Sequence, residues 1–197
     1  EVFKYFSGFI VISLFSLIFS LTGYSPNELF LGTLYFIRFI SYVAFFIFCC
    51  NLTSQNITLK DKFLNSLIGV SFFAAIFGWI QYFVYPDLTS LKFLGWDDHL
   101  YRLTGTFLDP GFTGVILGLG FIQALAKYLE KKGKKLFLLV AFLLVSAIFT
   151  YSRATYLAII FGSIALFSFT KKLKAVPLLM ATLIVIVLFL PRPEGEG

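Results

Sequence analysis

The residues best suited to chemistry lie in a short polar stretch between two long apolar runs, residues 102–111 (RLTGTFLDPG). This stretch combines one guanidinium group, two hydroxyl groups, a carboxylate and a Pro-Gly break. A second arginine, Arg153, ends the stretch 150–153 (TYSR). Arginine carries a planar, always-charged group that binds phosphate or carboxylate through paired hydrogen bonds. We therefore expect Arg102 and Arg153 to mark an anion site.

A third arginine, Arg38, lies near the middle of an apolar run, residues 29–50, that contains no carboxylate. A charge at that depth in a membrane costs about 2.5–3.5 kcal/mol on insertion scales. Such residues usually face the interior of a helix bundle, where they pair with a carboxylate or line a polar path. We expect the partner of Arg38 to come from another helix, from a further part of the protein or from a bound anion.

Asp109 and Pro110 predict the start of a helix. Proline is favoured in the first helical turn, and a carboxylate just before it caps the helix and complements its positive end. The same helix start, with Thr104 and Thr106 close to it in sequence, could also bind an anion. The carboxylate of Asp109 would oppose that anion, so Arg102 would have to supply the attraction.

The loop that precedes Arg102 offers a weaker set of candidates, Trp96, Asp97, Asp98 and His99. Adjacent side chains rarely converge on one ion, and the chain has a single histidine, so no metal site is predicted and His99 is interpreted as a solvated loop residue. Trp96 and Tyr101 fit either the aromatic belt of a membrane interface or a surface on which a sugar stacks. The sequence has no nucleotide-binding or hydrolase motif, and neither a cofactor nor a nucleic-acid partner is expected.

The elements that must position these residues are membrane helices. The chain is 59% hydrophobic and 13% charged, whereas a soluble domain carries about 25% charged residues. Several apolar runs approach the ~20 residues that cross a bilayer as a helix. Helix is required there, because an open strand would leave backbone polar groups unpaired in lipid. The composition thus predicts an all-α integral membrane protein with about seven transmembrane helices and excludes a conventional soluble domain.

The predicted spans are residues 2–21, 29–50, 63–85, 111–129, 136–150, 154–170 and 175–190. Lysines accumulate on the cytoplasmic side of membrane proteins, so the cluster at residues 131–135 is assigned to that side. Alternation of the spans then places the amino end and 11 of the 12 lysines inside, and only Lys92 outside. Arg102, Arg153 and Arg192 fall on the outer side in this topology.

The fifth and sixth spans are expected to form a short hairpin. Residues 136–170 leave about 17 residues, or roughly 26 Å, for each helix. The tip at Ser152 and Arg153 should therefore sit at or slightly below the outer interface. Arg153 would then face a wet cavity or a partner, or extend its side chain to the head groups. In the fourth span, the shared face of Gly111, Gly114 and Gly118 predicts close contact with another helix.

Two motifs resemble signatures of the O-antigen ligase and Wzy-type O-antigen polymerase family. Residues 102–111, followed by a glycine-rich span, resemble the motif R-x-x-G-x-F-x-N-P. Residues 150–154 (TYSRA) resemble a T-x-S-R-x turn between two spans, and the single Lys-rich turn between the motifs also fits. The tail, residues 191–197, resembles the start of the family's large extracytoplasmic loop. The resemblance covers residues 63–197 and departs from the family at Asp109 and Gly111, where asparagine is usual, so the branch is undecided.

This resemblance implies transfer or polymerisation of glycan from an undecaprenyl diphosphate carrier at the outer face of the bacterial inner membrane. The acceptor would be lipid A-core in the ligase branch, a growing glycan in the polymerase branch or a protein in a related branch. The implied fold is a helical bundle of the GT-C kind without a metal requirement. The resemblance implies Arg102 and Arg153 as the diphosphate ligands, and the residues themselves add Arg38, Thr104 and Ser152 as further candidate ligands. The ligase branch carries its candidate base, a histidine, in the large loop.

The chain is expected to divide into residues 1–62, which hold two spans and a cytoplasmic loop, and residues 63–197, which hold the ligase- or polymerase-like region. Because it opens with Glu1 and ends within the tail at residues 191–197, it is interpreted as part of a larger protein. Two other functions stay open. One is a transporter or flippase for an anionic lipid, which Arg38 favours, and the other is a structural membrane protein without a ligand.

Overall fold

The computed structural model describes residues 2–94 and 98–189, and these residues are almost entirely helical. Seven α-helices lie in that part of the chain: α1 (Val2–Phe19), α2 (Pro26–Gln55), α3 (Ile57–Val84), α4 (Pro110–Lys131), α5 (Lys134–Ile148), α6 (Arg153–Phe169) and α7 (Val176–Phe189). Four short 3-10 helices connect or extend them, at Ser20–Thr22, Thr89–Leu94, Gly105–Phe107 and Leu173–Ala175. Trp96, Asp97, Arg192 and the rest of the tail at residues 191–197 lie outside the described residues.

Three of these helices are long and apolar enough to cross a membrane, judged by length and composition. They contain Pro26–Ser54, Thr58–Val84 and Pro110–Lys131. Two shorter apolar helices cover Phe6–Thr22 and Arg153–Phe169. The 15 residues of α5 rise only about 22 Å, less than the ~30 Å hydrocarbon layer. The fold is thus an all-helical membrane-type fold, and length alone identifies three spans rather than the seven that hydropathy predicts.

The chain divides into two compact units, with the boundary between Lys62 and Phe63. The first unit contains the antiparallel hairpin of α1 and α2. Phenylalanine rings hold the two helices together: the centroids of Phe6 and Phe46 are 5.7 Å apart, and those of Phe9 and Phe39 are 5.8 Å apart. Most large apolar side chains of this hairpin are exposed, which is typical of a surface solvated by lipid.

The expected cytoplasmic loop before residue 63 is instead largely helical. α2 continues to Gln55 and α3 begins at Ile57, with Asn56 between them in an extended conformation (φ −146°, ψ 109°). The side-chain oxygen of Asn56 accepts hydrogen bonds from the backbone N–H groups of Thr58 (2.9 Å) and Leu59 (3.3 Å). Asn56 therefore caps α3, and one residue suffices for the break. The polar residues of this segment therefore do not end the helices.

In the second unit, α4 packs against both α5 and α6. Gly114 of α4 makes the closest approach to α6, because a Cβ atom there would lie 1.8 Å from Oγ1 of Thr155. Gly118 lies against Ile159 one turn further along both helices, so α4 and α6 run parallel. The predicted close contact on the glycine face is confirmed at Gly114. Ser71 of α3 also lies close to α4: its hydroxyl donates to the carbonyl oxygen of Ile116 at 2.9 Å, and a Cβ atom at Gly120 would lie 2.2 Å from its Cβ atom.

Four helix ends meet at one end of the second unit. α3 and α5 terminate there, and α4 and α6 begin there. The residues that precede α4 lie against the last turns of α3, because backbone N–H of Thr104 donates to the side chain of Gln81. We call this end, with residues 101–109 and 149–153, the Arg102 end. The contacts of Gly114 and Ser71 fix the relative positions of α3, α4 and α6, and so position the polar residues at this end.

Candidate anion site

A backbone hydrogen bond joins the two polar segments singled out by their arginines. The N–H of Leu103, the residue after Arg102, donates to the carbonyl oxygen of Phe149 at 2.9 Å. Phe149 follows the last residue of α5 and stands four positions before Arg153. Segments nearly 50 positions apart in the chain therefore share one hydrogen-bonded loop structure. This places the backbones of both arginine-bearing segments side by side.

The segment that carries Arg102 is held against α3 and α4 by buried contacts. Oε1 of Gln81 accepts from the N–H groups of Thr104 (3.0 Å) and Gly105 (3.3 Å). The hydroxyl of Thr113, in the first turn of α4, donates to the carbonyl oxygen of Thr104. Leu103 is fully buried on Gly78, where a Cβ atom would lie 2.2 Å from its side chain. The loop is thus held against α3 and α4, and of its two charged residues Arg102 is half-buried and Asp109 is exposed.

Thr104 does not fit its expected role as a diphosphate ligand. It is 0% exposed, and its backbone rather than its hydroxyl makes the contacts described above. A side chain without solvent exposure cannot touch a ligand that binds at the surface, so in this arrangement Thr104 stabilises the loop. Three more threonines are fully buried nearby, Thr113, Thr150 and Thr155, and Gly114 approaches the hydroxyl groups of the last two.

Two helices begin at this end and present their positive ends to the same side. Asp109 caps α4: its Oδ1 accepts from the backbone N–H of Phe112 at 2.6 Å, and Pro110 is the first helical residue. Ser152 caps α6, accepting from the N–H of Thr155 at 3.4 Å, and Arg153 is the first residue of that helix. The cap of α4 is a carboxylate, whereas the cap of α6 is a neutral hydroxyl. The start of α6 therefore attracts an anion more strongly than the start of α4.

The arginines of this end are not neutralised within the described residues. Arg102 is half-buried and Arg153 is exposed. In the described part of the chain, no carboxylate oxygen lies within 4.0 Å of either guanidinium group. Burial raises the pKa of Tyr151 to about 12, and the positive charge of Arg102 opposes that rise. The Tyr151 hydroxyl is therefore protonated at neutral pH and lies within the electrostatic reach of Arg102.

Strained backbone conformations are concentrated in the same loops. Tyr101, Leu108 and Tyr151 adopt left-handed φ values of 51°, 54° and 53°, as does Gly105 at 59°. Left-handed non-glycine residues cost roughly 1–3 kcal/mol and persist where surrounding contacts determine them. Tyr101 directly precedes Arg102, and Tyr151 stands two residues before Arg153. The surrounding contacts therefore hold the backbone beside both arginines in these conformations.

Arg38, the third expected ligand, lies in the first unit. It is exposed on α2, and its guanidinium carbon lies 4.6 Å from the ring centroid of Tyr35. This cation–π contact comes from the preceding turn of the same helix, and not from another helix, a further part of the protein or a bound anion as the sequence led us to expect. With Leu31 and Leu34, both residues line a cavity of about 240 Å³.

The loop before Arg102 is more ordered than expected, and His99 is not solvated. A β-bridge pairs Asp87 with Leu100, and the N–H of Leu88 donates to the carbonyl oxygen of His99 at 2.9 Å. This folding of the loop on itself leaves His99 only 9% exposed. Nζ of Lys92 pairs with Oδ2 of Asp98 at 2.6 Å, which raises the pKa of Lys92. Within the described residues, no three His, Cys, Asp or Glu side chains form a group that could hold a metal ion.

Sequence reasoning missed the residues that support the arginines. Gln81 lies inside an apolar helix, where its role as an acceptor for two loop N–H groups leaves no local pattern. Ser152 as the cap of α6 was detectable, because serine before a helix start is a known N-cap signal. Tyr151 is half-buried, and its surroundings include a ring distant in sequence, that of Tyr82: the centroid of Phe149 lies 6.3 Å from that of Tyr151 and 5.7 Å from that of Tyr82.

The geometry as a whole presents two arginines, two helix starts and a protonated tyrosine at one end of a helical unit. Such a set can bind a phosphate or diphosphate group and stabilise negative charge that develops on it. No protein-family model, curated protein or solved structure matches this chain.

Proposed function

We propose that this chain belongs to a membrane glycosyltransferase that transfers or polymerises glycan from an undecaprenyl diphosphate carrier. One observation carries the proposal: the hydrogen bond between Leu103 and Phe149 joins the two segments whose motifs resemble the ligase and polymerase signatures. The arginines of both segments are free of carboxylate partners within the described residues. A lipid diphosphate carries its charges at the membrane interface, where the ends of long apolar helices lie.

The proposed reaction needs two things from the protein. The oxygen of an acceptor hydroxyl attacks the anomeric carbon of the donor sugar, and the bond from that carbon to the diphosphate oxygen breaks. The electron pair of that bond leaves with the diphosphate, where Arg102, Arg153 and the start of α6 stabilise the charge. A base must accept the proton of the acceptor hydroxyl. We propose that this base lies in a part of the protein beyond the described residues, as it does in the ligase branch.

The membrane arrangement completes the proposal. We propose seven spans in a GT-C-like bundle, an amino end in the cytoplasm, and the Arg102 end at the outer face of the bacterial inner membrane. The lysine clusters support this orientation, because the exposed cations Lys131 and Lys132 lie at the opposite end of α4 from Arg102. The acceptor would be lipid A-core, a growing glycan or a protein.

Replacement of Arg102 tests the proposed function. Arg102→Ala should lower the rate of glycan transfer roughly 10–150-fold, since it removes about 1.5–3 kcal/mol of charge-assisted contact. Arg102→Lys should also be impaired, because a point charge does not replace the bidentate guanidinium group. The measurement is the joining of labelled glycan from a polyprenyl diphosphate donor to acceptor in proteoliposomes.

The matched control is Lys131→Ala, which removes an exposed cation from the other end of α4 and should leave the rate unchanged. Expression and thermal unfolding of each variant show whether folding is affected. Wild-type transfer rates in Arg102→Ala at normal expression would refute the proposal.

A transporter of anionic lipid is the second candidate, and Arg38 favours it. Arg38 is a cation exposed on an apolar helix, and it lines a cavity of about 240 Å³. It could bind an anion at an intermediate position as the anion crosses the membrane. Liposomes separate the two functions. Labelled glycan joined to an acceptor identifies a transferase, whereas lipid that crosses the bilayer without a new bond, and depends on Arg38, identifies a transporter.

A further inference from the structure

Seven exposed lysines lie at the end of the second unit opposite the Arg102 end. α4 and α6 terminate there and α5 begins there, and the lysines occupy the α4–α5 and α6–α7 turns with the helix residues beside them. We call this group the lysine end: Lys131, Lys132, Lys134, Lys135, Lys171, Lys172 and Lys174. Residues 110–190 contain a single carboxylate, Glu130. In the described part of the chain, no carboxylate oxygen lies within 4.0 Å of any of these lysines, so the lysine end carries a large unneutralised charge.

One contact joins the two lysine-bearing turns. Nζ of Lys172 donates to the carbonyl oxygen of Leu129 at 3.2 Å. Leu129 lies in the last turn of α4, whose final carbonyl groups have no partner within the helix. The turn after α6 is thus docked on the end of α4, beside the turn that carries Lys131 and Lys132. The lysines of both turns therefore belong to one cationic surface.

Stabilisation of the helices accounts for little of this charge. The carboxyl ends of α4 and α6 each carry only about half a negative charge, and Lys172 already satisfies one carbonyl group at the end of α4. Lys134 and Lys135 lie in the first turn of α5, where a cation opposes the positive end of the helix. These two lysines destabilise α5, and an anion bound beside them would offset that cost.

The position of the lysine end indicates the kind of anion. α4 is long and apolar enough to cross a membrane, and Lys131 is its last residue. The end of such a helix lies among the lipid head groups. The rings of Tyr128 and Phe137 pack beside the lysines, with centroids 5.9 Å apart, and aromatic residues are enriched at that depth. Lipid phosphates are therefore the anions present at the level of these lysines.

We propose that the lysine end binds a phospholipid with two phosphates, of the cardiolipin kind, with one phosphate at each lysine-bearing turn. Once one phosphate is bound, the second is held near the other turn at a high effective concentration. The lipid is a partner of the fold and not a substrate, because it binds at the opposite end of α4 from Arg102. The inference is independent of the proposed glycan transfer, and none of the measurements below requires that activity.

Two double variants remove the charge of each turn separately. Lys134→Gln/Lys135→Gln acts on the turn after α4, and Lys171→Gln/Lys174→Gln acts on the turn after α6. Lys172 is kept, because its contact with the end of α4 joins the two turns. The four replaced lysines are exposed, and glutamine is close to lysine in helix propensity. Folding should therefore be unaffected, which thermal unfolding of each variant checks.

Native mass spectrometry of the purified chain in detergent measures the binding of cardiolipin and of phosphatidylglycerol with the same acyl chains. The wild type should bind cardiolipin about 25-fold more tightly, since each of two further lysines contributes about fivefold. Each double variant should bind cardiolipin only as tightly as phosphatidylglycerol, which still binds at the intact turn. The matched control is Lys60→Gln/Lys62→Gln, which removes the same charge near the start of α3 and should keep the wild-type preference.

Three outcomes overturn the proposal. A preference for cardiolipin that persists in both double variants of the lysine end comes from its additional acyl chains and not from its phosphates. An equal loss of preference in Lys60→Gln/Lys62→Gln attributes the binding to net charge alone. A short single-stranded DNA, added in place of lipid, tests for a soluble polyanion. If both double variants lose DNA binding and keep cardiolipin binding, the lysine end binds a soluble partner and not a lipid.

Discussion

The backbone N–H of Leu103 lies 2.9 Å from the carbonyl oxygen of Phe149, to which it donates. This bond couples the loop before α4 to the turn between α5 and α6. A change that displaces either segment must therefore displace the other, and Arg102 and Arg153 respond together.

Gly114 is expected to be the least replaceable glycine of α4. In Gly114→Ala, the new Cβ atom would lie 1.8 Å from Oγ1 and 2.9 Å from Cβ of Thr155, which forces α4 and α6 apart. Overpacking of this kind costs about 1–3 kcal/mol. Thermal unfolding in detergent measures the loss.

The matched control is Gly118→Ala, whose Cβ would meet Ile159 at an ordinary 3.7 Å. It should be neutral or slightly stabilising, because alanine is favoured over glycine within a helix. Adding Thr155→Ala to Gly114→Ala removes the nearer clash and should restore part of the stability. If both glycine variants unfold at the same temperature, the close α4–α6 contact is wrong.

Gln81 is expected to order the Arg102 loop. Gln81→Met keeps the size of the side chain but leaves the buried N–H groups of Thr104 and Gly105 without an acceptor, at a cost of about 1–3 kcal/mol for each. Hydrogen–deuterium exchange of a peptide that covers residues 102–111 should become faster. Gln81→Glu retains an acceptor oxygen and should exchange more slowly than Gln81→Met. Equal exchange rates in the wild type, Gln81→Met and Gln81→Glu would mean that the order of the loop does not depend on Gln81.

Asp109 is expected to stabilise the fold and to weaken anion binding. Asp109→Ala removes the cap of α4 and should cost about 0.5–2 kcal/mol of folding free energy, whereas asparagine caps as well as aspartate. Asp109→Asn also removes a negative charge from the start of α4. Pyrophosphate should then bind roughly threefold to tenfold more tightly, as measured by equilibrium dialysis. Weaker binding in Asp109→Asn would place the anion elsewhere.

Tyr151 is expected to lose its proton at a higher pH than an ordinary tyrosine. Burial raises its pKa from 10.0 to about 12, while the charge of Arg102 lowers it. Because the folded-state pKa is raised, the stabilisation by neutral Tyr151 is complete below pH 10 and is lost as the pH rises towards 12. Unfolding free energies measured from pH 9 to 12 should fall less steeply in Tyr151→Phe.

The same titration tests the proximity of Arg102 to Tyr151. In Arg102→Ala, the Tyr151 pKa should rise further, because the opposing positive charge is gone. Nuclear magnetic resonance of isotopically labelled tyrosine reports this value directly. A Tyr151 pKa that is unchanged in Arg102→Ala would place the two groups too far apart to share a ligand.

Local signals in the sequence predicted the helix starts and the membrane character. Asp109 and Pro110 mark the beginning of α4, because capping and proline preferences act within one turn. The glycine spacing identified the α4 face that approaches Thr155. The composition predicted a helical protein of membrane type, and hydropathy located the helix ends to within about three residues, except at the end of α2 and the start of α3, which extend five and six residues further.

Contacts between segments distant in sequence could not be predicted, because they leave no local pattern. No residue adjacent to Thr104 in the sequence indicates that Gln81 and Thr113 bind its backbone. The sequence therefore predicts a ligand contact for its hydroxyl group. The sequence predicts a solvated His99. Its burial results from a backbone hydrogen bond between Leu88 and His99 across the same loop, which no local pattern indicates. Polar residues near Asn56 indicate a loop, although α2 and α3 continue through them with only Asn56 between the two helices.

The parallel register of α4 and α6 has a consequence for the response of the protein to its bilayer. Helices adapt to changes in hydrocarbon thickness by tilting. When two antiparallel neighbours tilt apart, the distance between the ligand-binding residues at their ends increases. α4 and α6 begin at the same end and are locked at Gly114 and Thr155, within one turn of both starts. We therefore expect them to tilt as one body, which would keep the separation of the two arginine-bearing segments constant. Anion affinity at this end should accordingly be the same in thin and in thick bilayers.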